Sequence, residues 1–209
     1  MRRTQSKILR FTGSSFLGLS FTLSSMLLAA CGSTSDIQSS NTPGAKVDLS
    51  RYSSVIIRDF NDMASQEEEG KDRDKLQSKM TQVTRDFADM IAEEVRKQGA
   101  FTSVKRDGSI DDSTLVVSGK ITNYTEGNAA ARVLVGFGAG SSRFEGMVDF
   151  TDGKTGASVG SVVIDKSSWA LGGAFAANQT VDRHMKGAAI KVANELYTAK
   201  TGLVPARAQ

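Results

Sequence analysis

One thiol, one imidazole, a few carboxylates and a run of glycines are the groups in this 209-residue chain that could carry chemistry. Cys31 is the only cysteine and stands directly behind an apolar run, in Leu28-Ala29-Ala30-Cys31. With no second cysteine, an intrachain disulfide is impossible. The thiol is left as a nucleophile or a modification site, and it is a good nucleophile at a membrane surface. His184 is the only histidine. One imidazole and one committed thiol make neither a zinc set nor a Cys–His pair, and no nucleophile-elbow pattern supplies a serine for a triad. His184 is expected in the first turn of a helix, beside its solvent face. Asp149, Asp152 and Asp165 could meet in space for acid–base work, but on a hairpin such residues read as solvated turn positions. No catalytic residue, metal or cofactor is expected, and the chain reads as a non-enzyme.

The glycine run lies in Arg132-Val-Leu-Val-Gly-Phe-Gly-Ala-Gly-Ser-Ser-Arg143. Glycines let backbone amides cradle an anion. Here, however, there is no Gly-x-x-x-x-Gly-Lys-Ser/Thr, and Gly136-x-Gly138-x-Gly140 lacks the last spacing of a dinucleotide fingerprint. Close backbone packing in a strand or turn is the simpler use of these glycines. A second apolar, glycine-rich stretch runs from Trp169 to Ala177. If exposed, the two would form a patch of the size that marks an interface. Arg132, Gly136, Phe137, Gly138, Gly140, Arg143 and Trp169 are the interaction residues this reading names.

The elements ahead of Cys31 explain why the thiol is there. Residues 1–10 hold Arg2, Arg3, Lys7 and Arg10. Residues 11–28 are apolar, diluted by Gly and Ser, and Ala29-Ala30 are small. This is the layout of a secretory signal peptide. Leu28-Ala29-Ala30-Cys31 resembles the lipobox of bacterial lipoproteins. That resemblance implies cleavage before Cys31 and a diacylglyceryl thioether on its sulfur, commonly with a further acyl chain such as palmitate on the new amino terminus. Each buried methylene contributes about 0.8 kcal/mol, so two or three acyl chains hold a protein durably. Gly32 in the position after the cysteine, where Asp would retain a chain at the inner membrane, implies the periplasmic face of the outer membrane.

The formal net charge of +3 belongs to this leader. Removing its four bases from the total of 26 leaves 22 against 23 acids. No positive excess remains for nucleic acid. A hydrophobic content of 39% against 23% charged suits a globular body.

Three segments follow: 1–30 as signal peptide, 31–50 as the lipidated cysteine and a flexible Ser/Thr/Asn/Gly-rich tether, and 51–209 as one globular domain. Within the domain, 53–60 is a short β-branched strand and 61–71 an acidic loop. Over 72–98, Leu76, Met80, Val83, Phe87, Met90, Ile91 and Val95 form the stripe of an amphipathic helix, with Gly99 as its C-cap. Strands are expected at 101–105, 114–125, 142–151 and 157–165, the last two joined by the Asp152–Gly156 turn as a hairpin. Val181, Met185, Ala188, Val192 and Leu196 mark a second helix, capped by Thr180 and closed by Gly202. The fold class is an α/β (α+β) sandwich: one mostly antiparallel sheet of about five strands packed by two amphipathic helices.

Arg132-x-Leu134-x-Gly136-Phe137-Gly138-Ala139-Gly140, with a following strand and the Asp152-x-x-Thr155-Gly156 turn, resembles an uncharacterised bacterial lipoprotein family classed as a domain of unknown function. The similarity runs from about Val55 to Leu196 and brings no activity or catalytic residues with it. The order of elements also resembles that of the lipoprotein subunits of the curli secretion channel. The expected function is a lipid-anchored envelope module that works by interaction or assembly, through an envelope protein partner or self-association. A subunit of a ring-forming secretion channel and a small-ligand binder or enzyme with a site near 132–143 are the alternatives.

Overall fold

A computed structural model describes residues 34–40, 42, 44–67, 69–127, 140–167 and 180–206. Among these residues seven strands form a single sheet: β1 (Gln38–Ser39), β2 (Ser54–Ile57), β3 (Asn61–Asp62), β4 (Ser103–Lys105), β5 (Thr114–Thr125), β6 (Arg143–Asp152) and β7 (Ser158–Ser167). Two helices, α1 (Gly70–Gln98) and α2 (Val181–Thr201), pack on it. The spatial order is β1-β7-β6-β5-β2-β4, with β3 pairing β5 off this path. The long β5, β6 and β7 run antiparallel and hold most of the ladder. The parallel pairs all involve short strands: β2 with β4 and β5, and β3 with β5. Parallel neighbours need a long crossover, and α1 supplies it between β2 and β4. The five strands expected from sequence are all present; β1 and β3 add two residues each.

Both helices end as their sequences dictate. Gly99 takes φ +68° and donates its N–H to the Arg96 carbonyl, and Gly202 takes φ +73° and donates to Thr198. Only glycine adopts this left-handed conformation without a Cβ penalty. The Thr180 hydroxyl accepts from the Arg183 amide at 3.3 Å and caps α2. Asp72 lies in the first turn of α1, with Arg96 and Lys97 in its last, each opposing the local dipole.

The core lies between the helices and one sheet face. Leu115, Val117 and Ile121 of β5, Phe144, Val148 and Phe150 of β6, and Val162 and Ile164 of β7 point inward by strand alternation and are buried. Phe87 of α1 sits edge-on between Phe60 and Phe144, with ring centroids 4.9 and 4.8 Å away. Gly119 and Gly146 lie in this same inward row. A Cβ on Gly119 would stand 2.0 Å from the Met147 carbonyl oxygen and 2.7 Å from the Phe60 ring, so the sheet and its aromatic layer require glycine there.

The segment expected as a flexible tether differs from that expectation. Over the described residues of 34–50 the chain is laid on the body. Thr34 bridges Ile164, Gln38 and Ser39 pair with Ser161 and Gly160, and Val47 and Leu49 are buried in the common core. Its polar composition suggested solvent, but Ile37, Val47 and Leu49 give it enough apolar surface to dock, and β7 offers a free edge that would otherwise leave backbone groups unpaired. The acidic loop at 61–71 likewise contains β3, a 3₁₀ turn at Ala64–Gln66 and the start of α1. No helix among the described residues is long and apolar enough to cross a membrane.

Candidate functional site

Three chain segments converge at one end of the sheet. β5 finishes there at Thr125, opposite Arg143 at the start of β6, and Arg143 is opposite Ser167 at the finish of β7. α2 begins at the same end, because His184 in its first turn bonds to Ser142, the residue before β6. β5 and β7 therefore finish, and β6 and α2 begin, at this one end; residues 128–139 and 168–179 between them lie outside the described residues. Of the interaction residues named from sequence, Gly140 and Arg143 are described at this end. Gly140 has φ +69°, a turn conformation suited to glycine, and Arg143 is exposed, 3.9 Å from Glu145. Cys31, Arg132, Gly136, Phe137, Gly138 and Trp169 lie outside the described residues.

The Ser142–His184 pair is the contact at this end closest to chemistry. Ser142 Oγ and His184 Nε2 are 3.1 Å apart, and both residues are buried. His184 was expected beside the solvent face; its burial is a correction. Position 184 follows Val181 by three and precedes Ala188 by four, so it belongs to the inward stripe, and that spacing is the signal that would have found it. Ser142 carried no comparable signal, because its burial depends on where β6 begins. The geometry makes the pair a buried polar clasp that fixes the α2 N-terminus against β6.

The three carboxylates do not meet. Asp149 is opposite Ser118 and Ser161 on the outward face of the sheet, where burial raises its pKa and Lys120 opposes that rise. Asp165 is on the same face, opposite Glu145, and like charges so placed repel. Asp152 falls on the inward parity at the far end of the hairpin and is buried. It accepts from the Thr155 amide and hydroxyl, both at 2.8 Å, from Tyr52 Oη at 3.1 Å and from Arg51. The Thr155 amide, then the Thr155 hydroxyl, with help from Tyr52 and Arg51, hold its pKa down to about 2 against burial. The Asp152-x-x-Thr155-Gly156 motif thus encodes a knot that closes the hairpin and ties it to Arg51-Tyr52.

Elsewhere a groove of about 870 Å³ runs between the 36–48 segment and α2, past Ile37, Lys46, Val47, Asn194 and Thr198. Arg106 bonds Asp59, Asp89 and the Ile57 carbonyl, locking β2, α1 and the end of β4 together. No group of three or more His, Cys, Asp or Glu residues is arranged to hold a metal ion among the described residues.

Two solved structures to which the chain is similar are PelC dodecamers from Paraburkholderia phytofirmans. One is 12% identical with a TM-score of 0.49, over 79% of this chain and 97% of that one. The other, a point variant, is 13% identical with a TM-score of 0.47, over 79% and 98%. No curated protein matches the chain in sequence. Residues 55–172, which run from β2 past the end of β7 and make up more than half of the chain, match the family model of a domain of unknown function, DUF4410, and the chain belongs to that family.

Proposed function

We propose that this protein is a lipoprotein of the bacterial outer membrane, held at the periplasmic face through Cys31, and that it serves the envelope as a non-catalytic interaction or assembly module. The observation that carries this reading is Leu28-Ala29-Ala30-Cys31 behind a basic, then apolar, leader. A lipid thioether gives the only thiol a use that needs no second cysteine. The non-catalytic part is supported by the polar groups of the body. Asp152, the most heavily hydrogen-bonded carboxylate among the described residues, uses its bonds in a knot that closes the hairpin. The partner is an envelope protein or a second copy of the chain. Cell fractionation tests the anchor: the parent sediments with membranes and Cys31→Ser leaves them. Equal membrane recovery of the two would reject it.

A second reading has one observation in its favour, the Ser142–His184 hydrogen bond beside the glycine-rich stretch. It makes Ser142 a nucleophile and His184 its base. Fluorophosphonate labelling of the purified protein decides between the two: His184-dependent modification of Ser142 favours the hydrolase, and an unlabelled Ser142 favours the assembly module.

A further inference from the structure

The 34–40 segment is fastened to the edge strand β7 and to α2. Its pairing with β7 is antiparallel, with a one-residue shift between its two contacts: Ser39 is opposite Gly160 and Gln38 opposite Ser161, and Thr34 bridges Ile164. Going back along the chain therefore moves toward the Ser167 end of β7. The strap is fastened at several points. The Ser35 amide donates to the Val163 carbonyl at 2.8 Å, the Val163 amide donates to Ser35 Oγ at 2.9 Å, and the Ile37 amide donates to Glu195 Oε2 of α2 at 3.1 Å. Lys191 Nζ lies 2.6 Å from both Asp36 Oδ1 and Glu195 Oε1, tying the strap to α2. A Cβ on Gly160 would stand 2.7 Å from the Gln38 carbonyl oxygen, so the glycine allows the strap to lie this close.

Three peptide steps separate Thr34 from Cys31, and a chain covers at most about 3.5 Å per residue. The sulfur-bearing residue is thus within about 11 Å of a point fixed on β7. A slack leader of nineteen residues would have let the body tumble freely; this one does not.

We infer that the end of the sheet formed by Ile164–Ser167, Arg143 and the first turn of α2 is a membrane-apposed surface, held against the lipid headgroups by a short mooring. The opposite end, with the Asp152–Gly156 turn, points away into the periplasm. The ten residues of β7 rise about 3.3 Å each, so the two ends are about 30 Å apart. This rests on the lipidation reading above.

The test uses the full chain, expressed in bacteria and recovered from their membranes. It carries a single added cysteine at Asp165→Cys near the anchor or at Lys154→Cys in the far turn, both exposed positions. Each is labelled with a fluorophore and reconstituted into phosphatidylethanolamine–phosphatidylglycerol vesicles containing a headgroup nitroxide lipid. The mass of the Cys31 peptide is measured on the same sample. The expected result is a lipidated Cys31, loss of most of the fluorescence at 165 and no loss at 154. A Gly/Ser insertion of about twenty residues between Ser33 and Thr34 should then abolish the contrast. An unmodified Cys31 overturns the anchor and the orientation with it. A lipidated Cys31 with equal quenching at the two sites, or a contrast that survives the insertion, overturns the orientation alone.

Discussion

Asp152 is the residue whose chemistry is most fully written in its surroundings. Four donors converge on one buried carboxylate at the tip of the β6–β7 hairpin. Its folded pKa of about 2 lies below the ordinary 3.8. The unfolded chain therefore takes up the proton first as pH falls, and folding loses stability in that range. The contribution is complete above about pH 4 and is lost progressively as pH drops toward 2. Asp152→Asn should be less stable than the parent at neutral pH and should show a flatter loss between pH 4 and 2, read from urea unfolding at each pH. Parallel acid limbs in parent and variant would contradict the assignment. His184 shows the opposite relation between sequence and surroundings: it was expected beside solvent, and it is buried against Ser142.

At the scale of elements, α1 is joined to the sheet through a short aromatic row. Phe87 projects from the middle of the helix and meets Phe60 just after β2 and Phe144 at the start of β6. It is fully buried. Truncating such a ring removes its transfer free energy and leaves a cavity that the rigid sheet cannot close, at a cost of about 3–5 kcal/mol. Phe87→Ala should lower unfolding free energy by that amount in chemical denaturation, with the expected side effect of loosening α1 from both strands. A loss under about 1 kcal/mol would mean that the helix is held mainly by other contacts, such as those of Ile91 and Val95. The stripe that contains Phe87 was legible from spacing alone, because an amphipathic helix must turn one face to whatever core it has. Its aromatic neighbours were not, since they lie far away in sequence.

For the whole molecule, the strap over 34–40 decides how the sheet ends at β7. It covers the edge of β7, which would otherwise be a template for another strand. Gly160→Ala should lift it, because the new methyl group meets the Gln38 carbonyl oxygen. Faster amide exchange at Ser35 and Ser40, a lower melting temperature and a greater tendency to self-associate are the expected outcomes; unchanged exchange at both amides would show that the strap is not held there. Periodicity alone determined the two helices with their caps, the three long strands and the hairpin turn, because amphipathic spacing, left-handed glycines and Asx-type turns are local devices. Only the tertiary structure decided that a polar N-terminal stretch is a strand-like strap, that Ser142 meets His184, and that Asp152, Asp149 and Asp165 are kept apart. Those outcomes depend on which strand offers a free edge and on which parity each residue takes in the sheet, and both are properties of long-range register.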